Sequence, residues 1–232
     1  MTDGQTKPKA ILAWSSGKDS AYALHLARAS GRFDIQALLT TVTDDYHRVS
    51  MHGVREEILD LQAQRVGLPL IKVRIPAPCP NETYEAAMAA ALGPLREGGL
   101  SHVLFGDLFL EDIRAWREER LARMGLKGVF PLWRRDTARL ARAMLAHGLV
   151  SRIVCLDPRR LARRFAGRAF DEELLGLLPR DVDPCGENGE FHTLVTAGPM
   201  FSHPIDVAPG AVVERDGFVF ADFVVNHDRR NA

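Results

Sequence analysis

Apolar residues along this chain come in short runs separated by longer stretches in which they recur at helical spacing. The runs Ala10–Trp14, Ile35–Val42, Pro69–Ile75, His102–Gly106, Gly128–Trp133 and Arg152–Leu156 are rich in Val, Ile, Leu and Phe and predict strands. Between them, Ser20–Ser30, Val54–Val66, Glu82–Arg96, Glu111–Met124 and Thr137–His147 predict amphipathic helices. Each stops at or near a glycine, the residue that most easily closes a helix in the left-handed conformation. Repeated strand–helix alternation predicts an α/β fold, a mostly parallel sheet with helices on both faces.

The alternation breaks at Asp157-Pro158. An arginine-rich helix is predicted over Arg159–Arg168 and a shorter one over Asp171–Leu178, and then the period changes. Leu194–Thr196, Val212–Glu214 and Phe218–Val225 predict strands, with Arg215-Asp216-Gly217 as a hairpin turn. The organisation expected is an α/β domain over 1–157 and a smaller α+β C-terminal part over 158–232.

Composition adds constraints. With 232 residues, 46% hydrophobic and 26% charged, the chain excludes a disordered protein. Its 30 basic and 30 acidic residues balance overall but not locally: 111–170 holds 15 basic and 6 acidic, and 171–232 holds 4 and 12. Overall neutrality argues against nucleic-acid binding through bulk charge. The imbalance predicts either an anionic partner, in a cleft with a basic wall and an acidic lid, or pairing of the basic middle with the chain's own acidic tail. Cys79, Cys155 and Cys185 form no Cys-x-x-Cys pair, which disfavours a zinc ribbon, an iron–sulfur site or a disulfide framework. The polar start and the short Ala10–Trp14 run predict neither a secretion signal nor a membrane span, and the chain reads as cytoplasmic. Its 25 Arg against 5 Lys suggest a GC-rich, bacterial genome.

Three motifs carry candidate chemistry. Ser15-Ser16-Gly17-Lys18-Asp19-Ser20 follows the first strand and opens the first helix. That placement gathers backbone N–H groups, hydroxyls and the positive end of a helix dipole around one point, an anion site to which Lys18 adds charge. A capped helix start explains the serines but requires neither Lys18 nor the strand upstream. The loop is neither Walker A nor Gly-x-Gly-x-x-Gly. The second motif, Gly106-Asp107 continuing through Glu111 and Arg114, breaks a strand at the edge where open parallel sheets bind ligands. Its helical continuation also fits a solvated, charge-paired face. The third, Cys185-Gly186-Glu187-Asn188-Gly189-Glu190-Phe191-His192-Thr193, concentrates carboxylates, an amide and an imidazole in a tight loop, more than a plain turn needs.

Ser15–Ser20 resembles the pyrophosphate loop of the N-type ATP pyrophosphatases, which cleave ATP between its α- and β-phosphates. It departs only at Ser16, where glycine is usual. With Pro131-Leu132-Trp133 between the second and third motifs, the set resembles the diphthine–ammonia ligase family over roughly 9–200. The resemblance implies a Rossmann-like (HUP-type) nucleotide domain with a smaller part closing over the substrate. It implies ATP and Mg2+ as cofactors, and ammonia and a carboxylate-bearing acceptor as substrates. Ser15, Ser16, Gly17, Lys18, Asp19 and Ser20 would hold the phosphates, with Asp19 a partner of Mg2+. Lys18, Asp19, Asp107, Glu187 and Glu190 are the catalytic candidates. Gly106, Arg114, Trp133, Gly186, Asn188, Gly189, His192 and Thr193 are the substrate-side candidates. The implied reaction adenylates a carboxylate, and ammonia or an amine then displaces AMP, with Glu187, Glu190 or His192 receiving the nucleophile's proton. The middle motif and Asn188 with His192 resemble a bacterial subgroup, and since bacteria make no diphthamide the acceptor would be another carboxylate. Two alternatives stay open: a tRNA-modifying enzyme with the same loop, and an adenine-nucleotide binder without turnover. Acceptor, nitrogen source and oligomeric state are left open.

Overall fold

A computed structural model describes residues 6–44 and 47–227. The first sheet contains β1 (Lys9–Ala13), β2 (Asp34–Thr43), β3 (Arg48–Val49), β4 (Leu70–Ile75), β5 (Leu100–Leu104) and β6 (Lys127–Val129). Its parallel strands run in the order β4-β2-β1-β5-β6, and β3 pairs antiparallel with the end of β2 beyond the last β1 pairing. Helices α1 (Lys18–Ser30), α2 (Glu56–Val66), α3 (Asn81–Glu97), α4 (Glu111–Arg123) and α5 (Thr137–Ala146) fill the connections. The α/β, mostly parallel architecture is therefore as the periodicity predicts.

Strand β1 is buried on both faces, and its alternate side chains enter different cores. Ala10, Leu12 and Trp14 join α1, α2 and the second sheet, whereas Ile11 faces Leu92 of α3 and Leu121 of α4. Helices on both faces explain why β1 reads as a continuous apolar run rather than an alternating one.

The second sheet is antiparallel, in the order β8-β7-β10-β9, formed by β7 (Val150–Leu156), β8 (Phe191–Ala197), β9 (Val207–Arg215) and β10 (Phe218–Val225). Strand β7 extends the apolar run 152–156 that alternation assigns to the parallel sheet, and pairing places it here instead. The second sheet thus draws on residues from both sides of position 157. The predicted hairpin turn forms with Asp216 and Gly217 both left-handed, φ 53° and 79°, the geometry that matches strand twist. Strand β9 is longer than its apolar core suggests because its Pro209 and Gly210 are tolerated on an edge strand.

Two predicted elements differ. The stretch 128–133 yields only the three-residue β6 and then a turn through Trp133. The helix predicted over Arg159–Arg168 is a series of turns with one 3-10 turn, Arg163–Phe165. Gly167 N–H donates to Ile153 O at 2.9 Å, Ile153 N–H to Arg168 O at 2.9 Å, and Phe170 N–H to Ser151 O at 2.8 Å. Backbone already paired with β7 cannot also pair with itself. Helix α6 (Glu172–Leu177) follows, capped by Asp171, whose Oδ1 accepts from Leu174 N–H at 2.8 Å. Among the described residues no helix is long and apolar enough to cross a membrane.

Gln62 of α2 joins the sheets from a fully buried position. Its Nε2 donates to Ser16 O at 3.1 Å and Val195 O at 2.8 Å, and its Oε1 accepts from Trp14 Nε1 at 2.9 Å. Replacing it by alanine strands buried polar groups on three segments. Gln62→Ala is expected to cost about 2–3 kcal/mol, read as a lowered midpoint in urea unfolding; a loss below about 0.5 kcal/mol contradicts this role.

Candidate functional site

The carboxyl ends of β1, β2 and β5 open into a cleft of about 350 Å³. It lies where successive connections leave β1 toward opposite sides, the usual ligand position in open α/β sheets. The chain leaves β1 at Ala13, turns through Ser15–Gly17 and enters α1, so the positive end of α1 faces the cleft. Ser15 and Ser20 lock the turn: their hydroxyls lie 3.1 Å apart, and Ser20 Oγ donates to Gly17 O at 3.0 Å.

Close packing explains the glycines. A Cβ on Gly106, at the end of β5, would lie 2.7 Å from Ser20 N and 2.8 Å from the Asp19 carbonyl carbon. A Cβ on Gly17 would meet His52 Nε2 and Thr193 O, both at 3.1 Å. Ser16 is fully buried with φ 69°, in the left-handed region that favours glycine. Its carbonyl accepts from Val195 N–H at 2.9 Å, while its hydroxyl is buried without a hydrogen-bond partner among the described residues. The one departure of the loop from its resemblance therefore falls where a side chain is strained.

Lys18 does not line the cleft. Its ammonium is buried, donating to Asp19 Oδ2 at 2.9 Å and to the Cys185 carbonyl, between the rings of Phe170 and Phe191. Its own N–H donates to Thr193 Oγ1 at 3.1 Å. Asp19 does line the cleft, and its Oδ1 has no hydrogen-bond partner among the described residues.

The third motif folds over the first and reaches the second. Asp183 Oδ2 accepts from the N–H groups of Cys185 and Glu187, at 3.1 and 3.0 Å, and shapes the turn. Glu187 then extends to the β5–α4 connection, where its Oε1 accepts from Leu108 N–H at 2.7 Å, and it lines the cleft. Burial pushes its carboxyl up to about 7 against that hydrogen bond. Gly186 is left-handed, φ 73°, and a Cβ there would sit 2.7 Å from Phe191 O. Glu190 and Asn188 stay inside the loop: Glu190 Oε1, fully buried, accepts from Asp183 N–H and Asn188 Nδ2, both at 3.1 Å. Gly189, φ 84°, completes the turn.

The middle motif divides. Asp107 lines the cleft in an ion pair with Arg117, Nε to Oδ2 2.8 Å. Arg114 instead bonds Glu118 Oε1 at 2.9 Å and lies over the rings of Phe130 and Trp133, 4.8 and 4.7 Å from their centres. It and Trp133 line a separate surface depression. Among the described residues Arg117 is the sole arginine of the cleft lining, and these residues form no basic wall around it. Other arginines of the basic segment pair elsewhere, with Glu85, Glu172, Glu173, Glu190 and Glu214 among their partners. Two imidazoles complete the lining. His52, in the β3–α2 turn, and His192 have ring centres 4.6 Å apart. Burial holds both below the ordinary histidine value, His192 down to about 4, and proximity to His192 lowers His52 further.

Residues 8–128 match the diphthamide synthase N-terminal domain, and residues 136–223 match the diphthamide synthase C-terminal domain. The chain belongs to the diphthamide synthase family. A diphthine–ammonia ligase of Schizosaccharomyces pombe is 26% identical over 219 residues, covering 86% of this chain and 36% of that protein. One from Danio rerio is 25% identical over 233 residues, covering 90% of this chain and 91% of that protein. The chain thus spans about a third of the yeast relative and nearly all of the fish one.

For this diphthamide synthase family member, Ser15, Asp19, Ser20, Gly106, Asp107, Gly186, Glu187 and His192 share one cleft. Ser16, Gly17, Lys18 and Thr193 pack behind it without lining it, and Glu190, Asn188, Gly189, Arg114 and Trp133 also lie off it. Sequence reasoning passed over His52, Gln62 and Tyr84. His52 precedes a glycine in a turn and Gln62 sits in an ordinary helical pattern, so spacing carried no signal for either.

Two predictions follow from local strain and charge. Ser16→Gly removes a left-handed side chain and a stranded hydroxyl and is expected to raise stability by about 0.5–1 kcal/mol, measured by thermal unfolding; a fall in stability contradicts it. For Glu187 the folded value exceeds the unfolded one, so its contribution is present at acid pH and is lost as pH rises toward 7. Glu187→Gln is expected to exceed the parent in stability above pH 7 by about 2–3 kcal/mol and to lose that advantage below pH 5; parallel denaturation curves across pH decide.

Proposed function

We propose that this chain is a cytoplasmic, ATP-dependent amide ligase of the diphthine–ammonia ligase type. A carboxylate oxygen bonds to the α-phosphorus of ATP as pyrophosphate leaves. The nitrogen of ammonia or an amine then bonds to the acyl carbon as AMP leaves. The observation that carries this reading is the meeting of all three motifs, through Asp19, Asp107 and Glu187, in one cleft over the phosphate loop.

In this reading the parallel sheet holds the nucleotide and the antiparallel sheet bounds the acceptor, a division that follows the sheets. The N–H groups at the start of α1 and the hydroxyls of Ser15 and Ser20 receive the phosphates, and positioning supplies most of the rate. Leu39, Tyr84, Met88 and Phe105 offer the base an apolar wall. Among the described residues no group of three or more His, Cys, Asp or Glu side chains forms a metal cage. Asp19, with an unpartnered oxygen beside Asp107, suits Mg2+ held by one or two carboxylates with phosphates and water completing its shell. Bound there, the ion neutralises charge on the phosphates. Glu187, with a value of about 7, is matched to taking a proton from the incoming nitrogen near neutral pH.

A second reading, nucleotide binding without turnover, is favoured by Lys18, whose ammonium is engaged beneath the loop. One assay separates the two. Incubation with α-labelled ATP, Mg2+, ammonium and a metabolite extract is expected to yield AMP and a new amide mass. Asp19→Asn is expected to lower AMP formation about a hundredfold. Nucleotide binding with no AMP in any fraction supports the second reading and overturns the first.

A further inference from the structure

The cleft lining is electrostatically unsuited to a polyanion as it stands. Asp19, Asp107 and Glu187 contribute carboxylates, against a single guanidinium, Arg117, already paired with Asp107. Lys18, the loop's own cation, directs its ammonium to Asp19 and the Cys185 carbonyl. What remains beside the loop is the pair of imidazoles. A Cβ on Gly17 would lie 3.1 Å from His52 Nε2, so this ring covers the turn directly, and the His192 ring lies against it, tilted by 37° with centres 4.6 Å apart. His52 Nδ1 is buried with no hydrogen-bond partner among the described residues.

We propose that His52 and His192 bind the nucleotide's phosphates as a proton-accepting pair, one imidazole becoming imidazolium when the polyanion settles on the loop. This rests on the nucleotide reading of the same cleft. The charged and titratable groups facing the pair come from several elements: Lys18 and Asp19 from the start of α1, Asp107 and Arg117 around the start of α4, Glu187 from the third motif, and, in a neighbouring cavity that His192 also lines, Arg48 of β3, Cys155 of β7, Arg215 of β9 and Asp216 of the hairpin turn. Without nucleotide, burial and Lys18 keep both rings neutral. Phosphate oxygens above Gly17 reverse the local field and give the imidazolium a charge-assisted hydrogen bond. Mutual repulsion at 4.6 Å limits the pair to one proton. The proton comes from solvent, so binding strengthens as pH falls.

The test uses the full chain with Mg2+ and α,β-methylene-ATP, which binds without cleavage, titrated calorimetrically in buffers of different ionisation enthalpy. Uptake of about one proton is expected, persisting in Glu187→Gln and absent in the double variant His52→Gln/His192→Gln. The double variant is also expected to bind about tenfold more weakly at pH 7 and to lose the parent's weakening between pH 6 and 8. Histidine ring NMR of the unsubstituted chain gives an independent reading if the variant fails to fold: one of the 8 histidines should shift to the imidazolium position on addition of the analogue. Binding without proton uptake, uptake unchanged in the double variant, or no imidazolium signal overturns the pair while leaving nucleotide binding intact. No binding of the analogue at all overturns both.

Discussion

The buried ammonium of Lys18 is the constraint on which the rest of this structure depends. An unpaired charge in a protein interior is prohibitively costly, so the chain must bring acceptors to it. Asp19 supplies a carboxylate from the next position, and the carbonyl of Cys185 arrives from far along the chain. The rings of Phe170 and Phe191 close around it. Satisfying this one group draws the third motif onto the first. Thr193, accepting from Lys18 N–H, fixes β8 against the start of α1, and Gln62 repeats the tie through Ser16 and Val195. Once the C-terminal loop is held there, Glu187 reaches the N–H groups of Leu108 and Phe109, and the cleft has its third wall.

That arrangement also sets the cleft's charge. Lys18 secures the loop as a structural cation, and its ammonium does not line the cavity. The arginines of the middle segment are spread over surface pairs, among them Arg120 with Glu85, Arg163 with Glu214 and Arg168 with Glu173. Arg163–Glu214 reaches the acidic end, whereas Arg114–Glu118, Arg123–Glu119 and Arg134–Glu111 stay within the basic segment, and the segmental imbalance does not charge the cleft. The cavity itself is left with carboxylates, one committed arginine and two neutral imidazoles, an environment that changes protonation when an anion or a metal ion enters.

The sequence carried much of the fold. The parallel sheet, its helices and the hairpin at Asp216-Gly217 were legible because each depends on local period or on one left-handed turn. The helix over Arg159–Arg168 was misread because its composition is helical while its backbone is already paired with β7. The short strand β3 left no signal, since two residues cannot show a period. At the site, the phosphate loop and the Gly106-Asp107 break were legible because close backbone approach demands small residues. Glu190 and Glu187 could not be told apart, for both are carboxylates in one loop and only packing turns one inward and the other to the cleft.

The sequence by itself therefore determined most of the strands and helices, the α/β class, the three motifs and the family they belong to. These rest on local periodicity, on backbone conformations few residues tolerate, and on motif spacing. Tertiary structure alone decided that Lys18 packs behind the cleft, that Arg117 rather than Arg114 enters the cleft, that β7 serves the second sheet, and that His52 meets His192. Each depends on which distant groups share a desolvated volume, and no periodicity along one chain encodes that directly.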